Sequence, residues 1–177
     1  MRQDSFRSEV IDHQVLDRAA GRLKRQADGR RAIAGVGETL SVWDVSRGTR
    51  RLLQQGRHTY VQKVAFLNGG RRALTAGLQM CLWDLETSAC VRMFGDEEEE
   101  FNDLALLDGG RLVISADWRK TLRVWDVETG ECLRTLTGHT SWVTSVAVAP
   151  IDPPLILAGT EDGQVVFFRY HEDPRTV

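Results

Sequence analysis

A tryptophan followed directly by an aspartate occurs three times in this chain at a nearly constant spacing. The segments SVWDVSRG (41–48), CLWDLETS (81–88) and RVWDVETG (123–130) place these pairs at positions 43, 83 and 125, so the intervals are 40 and 42 residues. A degenerate fourth copy, VFFRYHED (166–173), puts Phe168 43 residues after Trp125. A period of about 40 to 45 residues is typical of a repeated unit of four strands.

Other segments repeat in the same register. Three apolar runs with strand-like alternation, VQKVAF (61–66), FNDLAL (101–106) and VTSVAV (143–148), are each followed by a turn and a second apolar run. Two of these turns are glycine-rich and the last is the proline-rich PIDPP (150–154), which suits tight connections between strands. The pattern therefore predicts repeated units of strand, turn and strand with no room for helices between them.

The composition is that of an ordinary globular chain and excludes several function classes. The 177 residues are 42% hydrophobic and 27% charged, with a net charge of −2, so nothing favours binding to nucleic acid or to an anionic membrane. No apolar run approaches the roughly 20 residues needed to cross a bilayer, and the N-terminus lacks the apolar core of a secretory signal. We therefore expect a soluble, cytoplasmic protein.

The three cysteines indicate neither a disulfide framework nor a metal site. Cys90 lies seven residues after Trp83 and Cys132 lies seven after Trp125, so both occupy the same position of the repeat, and Cys81 completes an odd number. We expect the thiols to be structural, and we expect no metal and no cofactor.

These features together resemble the Trp-Asp (WD) repeat family of β-propellers. Three WD pairs in register, with GHT at 138–140 and a weaker RHT at 57–59, carry the resemblance over roughly residues 28–170. The resemblance implies an all-β propeller built of four-stranded antiparallel blades. It also implies a hydrogen-bonded set in each blade, made of a histidine, a Ser or Thr, an aspartate and the tryptophan, whose buried polar groups satisfy one another.

No unit of this chain carries the whole set. The second unit has His58, Thr75 and Trp83 but a turn too short for the aspartate. The third has Ser115 and Trp125, with Asp96 or Glu97 near the histidine position and Arg119 where the aspartate is expected. The last has His139 and Asp162, with Ala158 and Phe168 at the other positions. The residues interpreted as structural are Trp43, Asp44, His58, Thr75, Trp83, Asp84, Ser115, Trp125, Asp126, His139 and Asp162.

The repeats divide the chain into an N-terminal segment, 1–27, and a propeller domain, 28–177, with units 28–55, 56–95, 96–137 and 138–177. Residues 8–26 favour a short amphipathic helix, since Ser8 can cap it and several apolar residues share one face, although a degenerate blade strand near 20–25 is the alternative. About four blades form a partial or open propeller, whose terminal faces would be exposed. The chain is then part of a longer propeller, a homodimer that closes a ring, or a domain packed on another.

A binding surface is expected where the loop before each inner strand and the turn between the second and third strands emerge together. Aromatic and arginine side chains on a rigid surface are typical of binding hot spots, and the acidic run 96–100 would attract a basic segment of a protein partner. The candidate partner-binding residues are Tyr60, Glu99, Glu100, Trp118, Arg119, Trp142 and Glu161. Trp118 has no counterpart in the other units, so it is the strongest of these candidates.

The sequence contains none of the common catalytic motifs GxSxG, P-loop and HExxH. We therefore expect a non-catalytic scaffold for protein–protein interactions. One alternative is the regulatory or sensor region of a larger signalling enzyme, an NTPase or a kinase, whose catalytic part is absent from this chain. Another is an enzyme with a site in the central channel of a completed ring.

Overall fold

The chain folds into four consecutive antiparallel sheets, which we call blades 1 to 4. The structure, a computed structural model, describes residues 23–26, 28–36, 39–55, 60–67, 69–96 and 99–171. Within those ranges the first three blades have four strands and blade 4 has three, and the strands of each blade follow one another in sequence order. The fold is thus all-β, as the repeat pattern predicts.

Each blade is a meander of neighbouring strands. Blade 1 contains β1 (Leu23–Arg25), β2 (Arg31–Val36), β3 (Thr39–Asp44) and β4 (Thr49–Gln55). Blade 2 contains β5 (Val61–Phe66), β6 (Arg72–Gly77), β7 (Met80–Asp84) and β8 (Ala89–Phe94). Blade 3 contains β9 (Phe101–Leu107), β10 (Leu112–Asp117), β11 (Leu122–Asp126) and β12 (Cys132–Leu136), with a 3₁₀ turn at Asp108–Gly110. Blade 4 contains β13 (Val143–Ala149), β14 (Leu155–Thr160) and β15 (Val165–Arg169).

The first strand of each blade lies beside the first strand of the next, so β1, β5, β9 and β13 form the inner edge of the arc. A charged contact joins three of these strands. Lys63 on β5 lies 2.7 Å from the carboxylate of Asp103 on β9, and the same carboxylate accepts the backbone N–H of Val146 on β13 at 3.0 Å. Asp103 is buried, so these partners satisfy a carboxylate that would otherwise be costly to bury.

The aspartate of each WD pair shapes the turn that follows it. Asp84 accepts the backbone N–H groups of Glu86 and Thr87 at 2.9 and 3.0 Å, and Asp126 accepts the equivalent groups two and three residues further on. Asp44 accepts the N–H of Arg47. These bonds satisfy the amides of a tight turn between the third and fourth strands, which explains why the aspartate recurs in that place.

Apolar side chains fill the three junctions between consecutive blades. The tryptophans of blades 2 and 3 point toward the preceding blade. Trp83 packs in one cluster with Ile33 and Val42 of blade 1, and Trp125 packs with Met80 and Phe94 of blade 2. Phe168 takes the same place between blades 3 and 4. Burial of this kind is the main stabilising contribution in a fold of stacked sheets.

The prediction of a helix over residues 8–26 is wrong at its C-terminal end, where the alternative, a degenerate blade strand near 20–25, is confirmed. Residues Leu23–Arg25 form β1, which pairs antiparallel with β2 and supplies the inner strand of blade 1. Residues 8–22 of the predicted helix lie outside the described residues. Two of the three residues of β1, Lys24 and Arg25, are charged. The strand is therefore specified by its pairing with β2 and not by an apolar pattern of its own.

Candidate protein-binding surface

One backbone hydrogen bond recurs in blades 2, 3 and 4 and places the candidate residues together. In each blade, the N–H of a residue in the turn between the second and third strands donates to the carbonyl of a residue just before the first strand. The three pairs are Leu78 to Tyr60 at 3.3 Å, Trp118 to Glu100 at 3.4 Å and Glu161 to Trp142 at 3.0 Å. Five of the seven candidate residues therefore occupy two equivalent positions on the same rim of the arc.

The indoles of Trp118 and Trp142 stack across the junction between blades 3 and 4. Their ring centroids are 4.8 Å apart and their planes are inclined by 28°. Both side chains stay accessible, with 43% of Trp118 and 39% of Trp142 exposed. Each indole therefore packs one side against its neighbour and leaves much of its remaining surface open.

Polar contacts brace the turn that carries Trp118. The Lys120 ammonium donates to the carbonyl of Thr140 at 3.0 Å, and His139 Nδ1 lies 3.0 Å from the carbonyl of Lys120. The Thr140 hydroxyl in turn donates to Asp162 at 2.6 Å, and this bond, with one from Thr160, holds the pKa of Asp162 below its ordinary value. The loops that carry Trp118 and Trp142 are thus joined to one another by hydrogen bonds.

Glu99 does not lie on this surface, although it was expected to contact a partner. Its side chain is buried, with 3% exposed, and it forms an ion pair with Arg123 and a longer one with Arg119 at 3.5 Å. The other carboxylate oxygen, Oε2, is buried without a hydrogen-bond partner among the described residues. Glu99 is therefore part of the support beneath the surface, and its burial is possible because two guanidinium groups compensate its charge.

Arg123 and Asp117 complete this buried cluster. Burial alone would lower the pKa of Arg123, but the hydrogen bond and charge of Glu99, with the charge of Asp117, outweigh it and hold the pKa above its usual value. Asp117 accepts the backbone N–H of Thr121 at 2.9 Å and also its hydroxyl, so it closes the turn in which Arg119 stands. Arg119 remains half exposed above this cluster.

Tyr60, Glu100 and Glu161 are exposed, as expected for partner-binding residues. The backbone carbonyl of Glu100 accepts the N–H of Trp118, and the backbone N–H of Glu161 donates to the carbonyl of Trp142. Tyr60 occupies in blade 2 the position that Glu100 occupies in blade 3. We use the name tryptophan surface for Trp118, Trp142, Arg119, Glu100 and Glu161, and Tyr60 lies outside it at the rim of blade 2.

The residues interpreted as structural do form buried hydrogen bonds in blades 2 and 3. Trp83 Nε1 donates to the Thr75 hydroxyl at 3.0 Å, and Trp125 Nε1 donates to the Ser115 hydroxyl at 2.9 Å. In blade 4 of the described chain, His139 and Asp162 are linked only through Lys120 and Thr140: His139 contacts the carbonyl of Lys120, and Asp162 accepts the hydroxyls of Thr140 and Thr160. His58 lies outside the described residues, as do Glu97 and Glu98.

The sequence reasoning missed the buried charges of Asp103, Asp117 and Arg123. A signal was available for Asp103, because an aspartate inside the apolar run FNDLAL is unusual and needs a partner. Asp117 and Arg123 gave no such signal, since both lie next to turns where charged residues are ordinary. Only the folded register of β10 and β11 brings them to Glu99.

Within the described parts of the chain, no group of three or more His, Cys, Asp or Glu side chains is arranged to hold a metal ion. The same residues contain no helix of the length and apolarity required to traverse a bilayer.

Comparison with known proteins gives concordant matches. Residues 88–126 and 130–169 match the family described as "WD domain, G-beta repeat". Human "WD repeat and SOCS box-containing protein 1" is 32% identical over 158 residues, which cover 82% of this chain and 37% of that protein. "Nuclear distribution protein PAC1" of Arthroderma otae is 30% identical over 139 residues, covering 70% of this chain and 30% of that protein. This chain thus spans about a third of the length of these curated relatives.

Proposed function

We propose a protein-binding role for this chain, which belongs to the WD-repeat family: its tryptophan surface recognises a basic segment of a protein partner. WD-repeat domains generally serve as non-catalytic scaffolds for protein interactions. The observation that carries the proposal is the exposed stack of Trp118 on Trp142. We place this activity in the cytoplasm, in line with the sequence-based expectation.

A pair of accessible indoles is well suited to bind another protein. Tryptophan supplies a large contact area with little loss of conformational entropy, and it is enriched among the residues that contribute most to binding energy. The loops beneath the pair are held by Lys120, His139 and Asp162. A surface that is already ordered loses less conformational freedom when a partner binds.

The charges around the stack favour a cationic partner. Glu100 and Glu161 are exposed on either side, whereas the positive charge of Arg119 is partly compensated by Glu99 beneath it. A lysine or arginine side chain attracted by the two carboxylates can also rest on an indole face, where the ring quadrupole stabilises a cation.

A fluorescence titration with defined peptides tests this role. A lysine- and arginine-rich peptide of 12 residues is added to the protein, and peptides of the same length with glutamate or with glycine and serine at the basic positions serve as probes of charge. We expect that only the basic peptide binds saturably. The double variant Trp118→Ala, Trp142→Ala should bind this peptide at least about tenfold more weakly. The double variant Glu100→Gln, Glu161→Gln should lose less affinity.

The matched control is Trp43→Ala, which removes a partly exposed tryptophan at the far end of the arc. This variant should bind the basic peptide like the unmodified protein. Equal binding of all three peptides, or unchanged affinity in the Trp118 and Trp142 double variant, would contradict the proposal.

A further inference from the structure

The junction between blades 1 and 2 contains a cleft of about 310 Å³, which we call the arginine cleft. It lies where β2 and β6 begin and β3 ends, whereas the tryptophan surface lies at the opposite ends of the equivalent strands. Blade 1 supplies one wall and the turn after β7 of blade 2 supplies the other. The charged residues that line the cleft are Arg31, Arg47, Arg50, Arg51, Asp44 and Glu86.

The next junction, between blades 2 and 3, holds an ion pair at the equivalent place. Arg72 begins β6 as Arg31 begins β2, and its guanidinium lies 2.5 Å from the carboxylate of Glu128 in blade 3. Arg92 on β8 reaches the same turn and donates to the carbonyl of Thr129 at 2.8 Å. Two arginines of one blade thus converge on a turn of the next blade, where a carboxylate lies between the blades.

Arg31 and Arg51 are the counterparts of these arginines in blade 1. Arg51 matches Arg92, since each lies opposite the residue that precedes the tryptophan on the third strand. Arg31 Nη1 donates to the carbonyl of Gly70 at 3.4 Å, and Arg51 Nη1 donates to the carbonyl of Glu86 at 2.8 Å. Among the residues that the structure describes, neither guanidinium forms an ion pair with a carboxylate.

The glutamate that could pair with these arginines is bound elsewhere. Glu86 corresponds to Glu128, since each lies two residues after the aspartate of a WD pair. Its carboxylate lies 3.6 Å from Arg71, which also pairs with Asp84 at 3.1 Å. Glu86 is thus attracted to its own blade, and the charge of Arg31 is left without the carboxylate that the next junction provides.

The remaining charged groups of the cleft have contacts within blade 1. Asp44 accepts the hydroxyl of Ser46 at 2.6 Å and the backbone N–H of Arg47 at 2.9 Å, and it also pairs with the Arg47 guanidinium at 3.4 Å. The Arg50 guanidinium lies over the ring of Trp43. The uncompensated charge of the cleft therefore comes from the two arginines that reach blade 2.

We propose that the arginine cleft binds the phosphate group of a phosphorylated serine or threonine in a protein partner. Arg31 and Arg51 each use one nitrogen on a backbone carbonyl, and a guanidinium has further N–H groups to donate. A phosphate monoester brings nearly two negative charges and three acceptor oxygens, so one group compensates both arginines. A carboxylate brings a single charge and compensates one of them. The chain thereby gains a second contact, on the rim opposite the tryptophan surface and of opposite charge preference.

Fluorescence anisotropy with a labelled peptide tests this site on the full chain. The peptide has 12 glycine and serine residues with one phosphoserine at the centre, and the comparison peptides carry serine or a single glutamate there. Only the phosphorylated peptide should bind saturably. The double variant Arg31→Gln, Arg51→Gln should bind it at least about tenfold more weakly, because it loses hydrogen bonds between charged groups. Arg51→Gln alone, at an exposed position, should also lose affinity, and it serves as the test if circular dichroism shows that the double variant is unfolded.

The matched control is the double variant Arg72→Gln, Arg92→Gln at the next junction, which should bind the phosphorylated peptide like the unmodified protein. The double variant Trp118→Ala, Trp142→Ala should do the same, so the result is independent of basic-peptide binding at the tryptophan surface. Equal binding of the glutamate peptide, unchanged affinity in Arg51→Gln, or an equal loss in the Arg72 and Arg92 variant would overturn the proposal.

Discussion

Glu99 and Arg123 form a buried ion pair that joins the segment before β9 to the third strand of blade 3. The neighbouring residue, Glu100, is exposed and has its backbone carbonyl bonded to Trp118. Two adjacent glutamates of one acidic run therefore have opposite roles, one in supporting the rim and one in presenting charge on it.

Glu99→Gln should destabilise the fold strongly. The substitution leaves the largely buried guanidinium of Arg123 with less charge compensation, and breaking a buried pair typically costs about 3–5 kcal/mol. Urea denaturation followed by circular dichroism measures the change in the free energy of unfolding. Glu100→Gln is the matched control and should change stability by no more than about 0.5 kcal/mol. Equal effects of the two substitutions would show that the buried pair contributes nothing.

The stack of Trp118 on Trp142 should appear as a coupling energy. A double-mutant cycle with Trp118→Ala, Trp142→Ala and the double variant should give about 0.5–1.5 kcal/mol, the range measured for aromatic pairs. The readout is again the free energy of unfolding in urea. Strictly additive single effects would mean that the two indoles do not stabilise each other in solution.

The turn aspartates should make the fold sensitive to acid. Hydrogen bonds from the backbone N–H groups of the turn hold the pKa of Asp84 at about 2, and the pKa values of Asp44 and Asp126 also lie below the ordinary 3.8. Since these pKa values are lower in the folded state, the stabilisation is present above about pH 4 and is lost as the pH falls toward 2. The urea midpoint measured between pH 5 and pH 2 should decline accordingly.

Asp84→Asn is the control for this acid sensitivity. It removes one of the three titrating groups, so the decline of the urea midpoint with acid should be shallower than in the unmodified protein. An identical decline would assign the acid sensitivity to other carboxylates.

Cys90 should be the most readily alkylated thiol near neutral pH. Interaction with the Cys81 thiol lowers the pKa of Cys90 to about 7, while interaction with Cys90, together with burial, raises the pKa of Cys81. Because the thiolate is the nucleophile, the rate of modification by iodoacetamide should rise with pH to half its maximum near pH 7. In Cys81→Ala the midpoint should move upward. An unmoved midpoint would contradict the assigned contact; mass spectrometry of the labelled peptides identifies the site.

The repeat spacing was sufficient to predict the blades, because a tryptophan buried at a blade junction and an aspartate bonded to a turn must recur together. β1 could not be predicted in the same way: it is short and polar, and its place depends on pairing with β2. The rim position of Trp118 and Trp142 followed from the repeat register, but their mutual stacking did not. The prediction that Glu99 lies on the binding surface was wrong, because its burial depends on Arg119 and Arg123, which are 20 or more residues away in sequence.

The most direct test of the tryptophan surface uses the five indole N–H groups as separate reporters in a proton–nitrogen NMR spectrum. Trp83 and Trp125 donate to buried hydroxyls inside the blades and serve as internal controls, and Trp43 lies at the far end of the arc. When the basic peptide is added, the indole signals of Trp118 and Trp142 should shift in a saturable manner while the other three stay in place. Shifts confined to Trp43, or no shift of Trp118 and Trp142 at saturation, would contradict the proposed binding surface.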